Sequence, residues 1–221
     1  MASARDLDGL TMVVRKRGAG ARSITAIAGA PGSGKSTLAE RLAARLNDGE
    51  PGSAAVLPMD GYHFDDMVLV PRGLRPRKGA PQTFDVPGLA HMLARLRENR
   101  EAEIAVPVFD RDLEIARAGA RMIPSSVRHL VVEGNYLLLA AAPWSALHGL
   151  FDTTVMIVVP EAELRARLVA RWEGYGLSQA EVMEKLEGND LPNGRLVTTA
   201  SIEPEFVFTG QVGFTLSTRQ A

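Results

Sequence analysis

The run Gly29-Ala30-Pro31-Gly32-Ser33-Gly34-Lys35-Ser36 fits G-x-x-x-x-G-K-[ST] at every fixed position, and the β-rich apolar segment Ile24-Thr25-Ala26-Ile27-Ala28 leads straight into it. The glycines let the main chain turn its N–H groups inward around phosphate oxygens. Lys35 supplies a point charge for the β- and γ-phosphates, and the Ser36 hydroxyl suits Mg²⁺. Beyond the run, Leu38, Leu42 and Leu46 recur every four residues with Ala39 and Ala43 beside them. That period predicts a helix whose N-terminal dipole faces the anion. Strand, glycine-rich turn and helix in this order confine the chain to an α/β sheet assembled around a phosphate site. Residues Gly29 to Ser36, with Thr37, are the expected nucleotide-binding set, ATP and Mg²⁺ its expected occupants. The competing reading is a bare glycine-rich turn, and the strand and helix on either side argue against it.

At 221 residues and 46% hydrophobic, the chain is long enough for one buried α/β core with a small lid and too short for two ordinary domains. A single domain over 1–221 is expected, with residues 1–22 as an N-terminal surface helix and a lid near residues 165–190. A net charge of −1 gives no global footprint for nucleic acid or an anionic membrane, so neither is expected as a partner. Cysteine is absent, which excludes disulfides, thiolate metal sites and cysteine nucleophiles and agrees with a reducing cytoplasm, the expected compartment. Acids at Asp6 and Asp8 interrupt the basic N-terminus, which lacks the apolar stretch of a secretory signal. No apolar run approaches the roughly 20 residues that cross a bilayer. The Pro/Gly/Arg-rich stretch 71–81 reads as a mobile surface loop.

Five apolar segments, 24–28, 54–59, 129–132, 153–159 and 206–209, read as buried parallel strands. Helical patterns fall between most of them. Asp85 is a plausible N-cap before Val86-Pro87, and Leu89, Leu93 and Leu96 line a helix that ends near Asn99. Pro160 opens another, with Glu161 and Glu163 in its first turn and Leu164, Leu168 and Trp172 on one face. Ser178 to Glu181 is a capping box. This alternation predicts an open, doubly wound, mainly parallel five-stranded sheet, helices on both faces, ligand at the carboxyl ends of the strands. Segment 104–122 breaks the rhythm and reads as a hairpin beside the active face.

Phosphoryl transfer to a hydroxyl needs a phosphate cradle, Mg²⁺, a group that orients or deprotonates the acceptor, and cations for the charge on the transferring group. The second strand runs into Asp60-Gly61-Tyr62-His63, so Asp60 stands at a strand's carboxyl end as the expected general base, its alternative role being a turn-forming Asp before Gly. The third runs into Glu133, the expected acid that holds Mg²⁺ through water beside Ser36. Arg165, Arg167 and Arg171 share a helix. Arg167 and Arg171 lie one turn apart and, with Lys35, are expected to act on the transferring phosphoryl, while Gly174 and Gly176 suit a hinge. His63 lies close behind Asp60 and is expected to touch substrate, whereas His91 reads as a surface residue. No cluster has the spacing of a protein-caged zinc site.

Together, Gly29 to Thr37, Met59-Asp60-Gly61-Tyr62-His63, the run from Lys78 to Asp85, Pro107-Val108-Phe109-Asp110 and Val132-Glu133-Gly134-Asn135 occur in the order seen in the uridine kinase, pantothenate kinase and phosphoribulokinase family. The resemblance covers nearly the whole chain and is greatest to the bacterial nucleoside kinase-like or fructose transport system kinase branch. It implies an ATP:alcohol phosphotransferase and a fold in which a homodimer is common. By this resemblance Asp60 activates the acceptor, Glu133 is the magnesium-associated acid, the arginine-bearing helix clamps the γ-phosphate, and Asp85 binds substrate hydroxyls. The expected substrate-binding set is Tyr62, His63, Asp85, Phe109, Arg111 and Arg117. Uridine and pantothenate kinases tend to place Tyr and then His where this chain has Phe109 and Arg111, so the resemblance names no single acceptor. Arg111 and Arg117 suggest an acceptor bearing an acid or phosphate unless they pair with Asp110, Asp112 or Glu114. Asn189 to Gly194 also resembles this branch and is expected to return the chain from the lid toward the nucleotide. A regulatory NTPase is the other class that shares this cradle, but the chain has no Asn-Lys-x-Asp guanine-reading sequence.

Overall fold

The computed structural model describes residues 6–209 and 215–217, so residues 1–5 of the expected N-terminal helix segment lie outside the described residues. Helix α1 (Leu7–Arg17) leads to β1 (Ser23–Gly29), which is buried along its whole length. Its burial follows from its position: β5 (His129–Gly134) lies parallel on one side and β6 (Thr153–Val158) parallel on the other. With β2 (Ala54–Pro58), β7 (Phe206–Thr209) and β8 (Thr215–Ser217) the sheet order is β2-β5-β1-β6-β7-β8. The five expected strands are all present and parallel. A sixth, β8, pairs antiparallel with β7 at the edge, which periodicity over three residues does not reveal.

Each face carries its own core. Helix α2 (Lys35–Gly49) buries Leu38, Ala39, Leu42, Ala43 and Leu46, and with Leu10 and Val14 of α1 it covers Ile27, Val131 and Val155. On the other face α4 (Val86–Glu98) packs Leu89, Leu93 and Leu96 against Ile24, Leu130 and Val132. The local signals for α4 hold: the Asp85 side chain accepts from the Gly88 N–H at 3.0 Å, and Asn99 ends the helix in the left-handed region at φ 48°. Buried Arg22 ties three segments together, donating to the carbonyls of Val127, Leu96 and Pro124 at 2.7 to 2.8 Å.

The expected hairpin is β3 (Glu103–Asp110) with β4 (Ile115–Pro124), a separate antiparallel pair. It rests on the turn that follows β2. Past β6, helices α5 (Glu161–Gly174), α6 (Gln179–Lys185) and α7 (Leu191–Ala200) share a small cluster of Leu168, Val182, Leu186 and Leu191. The Ser178–Glu181 capping box is formed. Stretch 71–81, expected as a mobile surface loop, is instead tied down. It follows the short helix α3 (Asp66–Leu69), contains a 3₁₀ turn at Arg75–Arg77, and is held by Arg75 and Lys78 on Asp66 at 2.5 and 2.7 Å. Among the described residues no helix is long and apolar enough to cross a membrane.

Gly61 makes the junction between turn and hairpin possible. A Cβ there would lie 2.7 Å from the Pro107 carbonyl oxygen and 3.0 Å from its carbon, and backbone cannot rotate away as a side chain would. Gly61→Ala is therefore expected to cost about 1–3 kcal/mol, measured as a lowered Tm and denaturant midpoint.

Candidate active site

The glycine-rich turn closes as its residue types demand. Gly32 and Gly34 have φ of 78° and 92°, in the region that penalises any residue with a Cβ. A Cβ on Gly29 would sit 2.5 Å from the Ser33 Oγ. Helix α2 starts from Gly34 with no side-chain cap and no acid in its first turn, so its first N–H groups are left for an anion. The buried Ser33 hydroxyl has no hydrogen-bond partner among the described residues. These features fit a bound phosphate chain.

Two acids stand at the same edge. Registers Pro58↔Glu133 and Ile27↔Glu133 put Glu133 between the ends of β2 and β1, and Asp60 follows Pro58 by two residues. Glu133 is only 6% exposed. Burial raises its pKa above the usual carboxylate value; the Lys35 ammonium and a hydrogen bond from Ser36 pull it down, and the charge of Asp60 adds to the rise. No group of three or more His, Asp or Glu able to hold a metal occurs among the described residues; Ser36 and Glu133, hydrogen-bonded to each other, are the residues that could hold a cation together with a ligand's own oxygens.

Asp60 is paired with Arg111 at 2.9 Å. His63 Nδ1 lies 2.8 Å from the Asp60 carbonyl oxygen; since a carbonyl only accepts, Nδ1 carries the hydrogen. The ring packs on Phe84 and Phe109 with centroids 4.0 and 4.7 Å away. Burial lowers its pKa against the opposing pull of Asp60, which favours neutral imidazole.

Pro31, Lys35, Asp60, His63, Phe109 and Arg111 line one cleft of about 740 Å³. Of the other expected site residues, Arg171 lines it too, its guanidinium 5.3 Å from the Trp172 ring centroid. Arg167 instead leans on the glycine-rich turn, donating to the Gly32 and Ser33 carbonyls at 3.2 and 3.4 Å, and pairs with Glu163. Three expected substrate residues do not line the cleft. Tyr62 is 8% exposed, and its buried hydroxyl has a raised pKa caused by burial. Asp85 caps α4. Arg117 pairs with Asp110 at 3.5 Å, one of the pairings the sequence left open, while Arg111 lines the cleft.

The cleft also holds Arg75 and Arg77, which the sequence did not single out, and Lys78, Asn135, Asp190 and Asn193, which it carried only inside the runs of the family resemblance, with no role of their own. Arg77 donates to the Gly188 carbonyl and to Asn193 Oδ1, and Asn189 donates to the Lys78 carbonyl at 2.9 Å. These contacts bind the 71–81 stretch to the start of α7. Trp172 Nε1 donates to Asp190 at 2.7 Å, and burial raises the Asp190 pKa. The early signals were the Lys78–Asp85, Val132–Asn135 and Asn189–Gly194 runs, the first and last of which meet where the Asn189 side chain donates to the Lys78 main-chain carbonyl 111 residues away.

A parallel sheet whose central strand runs through such a turn into a helix, with two strand-end acids beside it, defines a P-loop NTPase fold equipped as a kinase. No family model matches the chain. It is 32% identical over 194 residues, 84% of this chain and 82% of the relative, to "Putative uridine kinase C227.14" of Schizosaccharomyces pombe. It is 32% identical over 156 residues to the pantothenate kinase of Myxococcus xanthus, covering 67% of this chain and 49% of that protein. The crystal structure of a "putative fructose transport system kinase" from Silicibacter sp. TM1040 superposes with TM-score 0.84 at 41% identity, covering 93% of this chain and 98% of that one. The chain belongs to the P-loop kinase family of uridine kinase, pantothenate kinase and phosphoribulokinase, and is a small-molecule kinase that uses ATP.

The raised pKa of Glu133 makes a pH prediction. A carboxyl that binds its proton more tightly folded than unfolded stabilises the fold below the unfolded value of 4.5 and loses that contribution as pH rises to its higher folded value. Without nucleotide, Glu133→Gln is expected to have a higher Tm than the parent at pH 7. The gap should close as pH falls to 4.5, read by thermal melts across pH.

Proposed function

We propose that this enzyme transfers the γ-phosphoryl of MgATP to a hydroxyl of a small metabolite, of the sugar, nucleoside or pantothenate-like kind, with Asp60 as general base. One observation carries the reading: Lys35 and Asp60 line one cleft from the carboxyl ends of β1 and β2, with buried Glu133 between them. Main-chain N–H groups of residues 29–37 and Lys35 hold the phosphates. Ser36 and Glu133 hold Mg²⁺, which when bound neutralises charge on the β- and γ-phosphate oxygens.

Asp60 accepts the acceptor's hydroxyl proton as that oxygen bonds to the γ-phosphorus. The bond from phosphorus to the bridging oxygen breaks, and ADP leaves with the electron pair. Arg171, already facing the cleft, stabilises the transferring phosphoryl. Arg167 does so after leaving the Gly32 and Ser33 carbonyls. Residues near 165–190 act as a lid over the nucleotide, hinged near Gly174 and Gly176, the latter at φ 79°. His63 and Phe109 shape the acceptor end. The absence of an Asn-Lys-x-Asp guanine-reading sequence, and a second strand-end acid, Asp60, lining the cleft beside Lys35 in addition to Glu133, support this reading over a regulatory NTPase.

ADP release should separate the parts. Lys35→Ala is expected to abolish both nucleotide binding and turnover. Asp60→Asn should keep the KM for ATP and lower kcat by on the order of 10²-fold or more. Full transfer by Asp60→Asn would remove the base assignment.

A further inference from the structure

Charge in the acceptor half of the cleft does not balance once Asp60 is committed to catalysis. Arg75 and Lys78 share two carboxylates: Arg75 reaches Asp66 at 2.5 Å and Glu114 at 3.1 Å, and Lys78 reaches Asp66 at 2.7 Å. That set is neutral. Among the described residues Arg77 meets only neutral acceptors, the Gly188 carbonyl and the Asn193 amide oxygen. Arg111 has a single carboxylate partner among the described residues, Asp60 itself. Its side chain is 52% exposed and lines the cleft, so a ligand can reach it.

Asp60 therefore faces two demands. It neutralises Arg111, while transfer requires it to turn to a hydroxyl and take its proton, whereupon its charge is gone. Arg111 then keeps no carboxylate in ion-pair contact among the described residues; its charge is felt by His63 and by the buried Glu133 carboxyl, which Lys35 and Ser36 already engage. A guanidinium fork in that position matches a carboxylate or a phosphate ester with two parallel hydrogen bonds.

We propose that the acceptor carries a negatively charged group, a carboxylate or a phosphate ester, that pairs with Arg111 and draws it off Asp60, so that binding of the right acceptor frees the base. This rests on the kinase reading with Asp60 as base. Neutral sugars and nucleosides leave the Arg111–Asp60 pair closed. Arg111 is thus both the specificity residue and the restraint on the base.

The test is calorimetric titration of the full chain, with MgADP present, with hydroxy acids and sugar phosphates of three to six carbons and their neutral counterparts, for instance gluconate against glucose and fructose 6-phosphate against fructose. An anionic member is expected to bind about 10–100-fold tighter than its neutral counterpart, and Arg111→Ala should erase that preference. Asp60→Asn should strengthen anion binding several-fold by removing the competing carboxylate, a gain that a merely structural Arg111 would not produce. Arg121→Ala removes the same charge from the same hairpin, where Arg121 bonds the Val56 carbonyl, and should change nothing. Equal binding of neutral counterparts, indifference to Arg111→Ala, or no binding by any member overturns the proposal. Anion binding in the stated pattern with no ADP release from any ligand would instead remove the kinase reading and leave the anion site standing. Which member binds separates carboxylate from phosphate.

Discussion

Parallel pairing of β2, β5 and β1 is the constraint on which the catalytic end depends. Strands that run the same way deliver their carboxyl ends to one edge, and the registers Pro58↔Glu133 and Ile27↔Glu133 bring three of them out nearly level. A slip of one residue would turn Glu133 to the other face of the sheet and break the convergence of Lys35, Glu133 and Asp60. The register is held by burial on both faces, since β1 and β5 have no exposed position. The two cores thus determine the geometry of the site, and each reaches its edge, one through Phe84 and the other through Ala30.

Within that frame the site is a set of charges in competition. Glu133 is held away from water between two strand ends, where Lys35 and Ser36 oppose the cost of its ionisation. Asp60 is paired with Arg111, and in the proposed reaction it must also serve the acceptor. Arg167 rests on carbonyls of the very turn whose N–H groups cradle phosphate. Several side chains are therefore engaged by protein partners that a ligand would have to displace, and the free energy of binding is divided between holding the ligand and releasing these residues.

Features written in local residue order were legible before any coordinates. The glycine-rich turn, the α4 caps at Asp85 and Asn99, the Ser178–Glu181 box and the 104–122 hairpin each depend on contacts a few residues apart or on a repeating period. Side-chain destinations across long separations were not. Arg77 and Lys78 look like loop decoration until α7 arrives from more than 100 residues away. Tyr62 follows Asp60 closely, yet the 3₁₀ turn Met59–Tyr62 rotates it into the core while His63 lines the cleft. Arg111 and Arg117 sit on the same hairpin but answer to different acids, Asp60 and Asp110. The short β8 pairs with β7 over three residues, too few for a period to show in the sequence.

The central claim is that main-chain N–H groups between β1 and α2 grip the phosphates of a magnesium-complexed triphosphate. Titrating ATP into the purified chain with and without Mg²⁺ tests it most directly. The account requires one saturable site whose affinity strengthens with Mg²⁺, and heat of binding no greater than dilution under both conditions would contradict it.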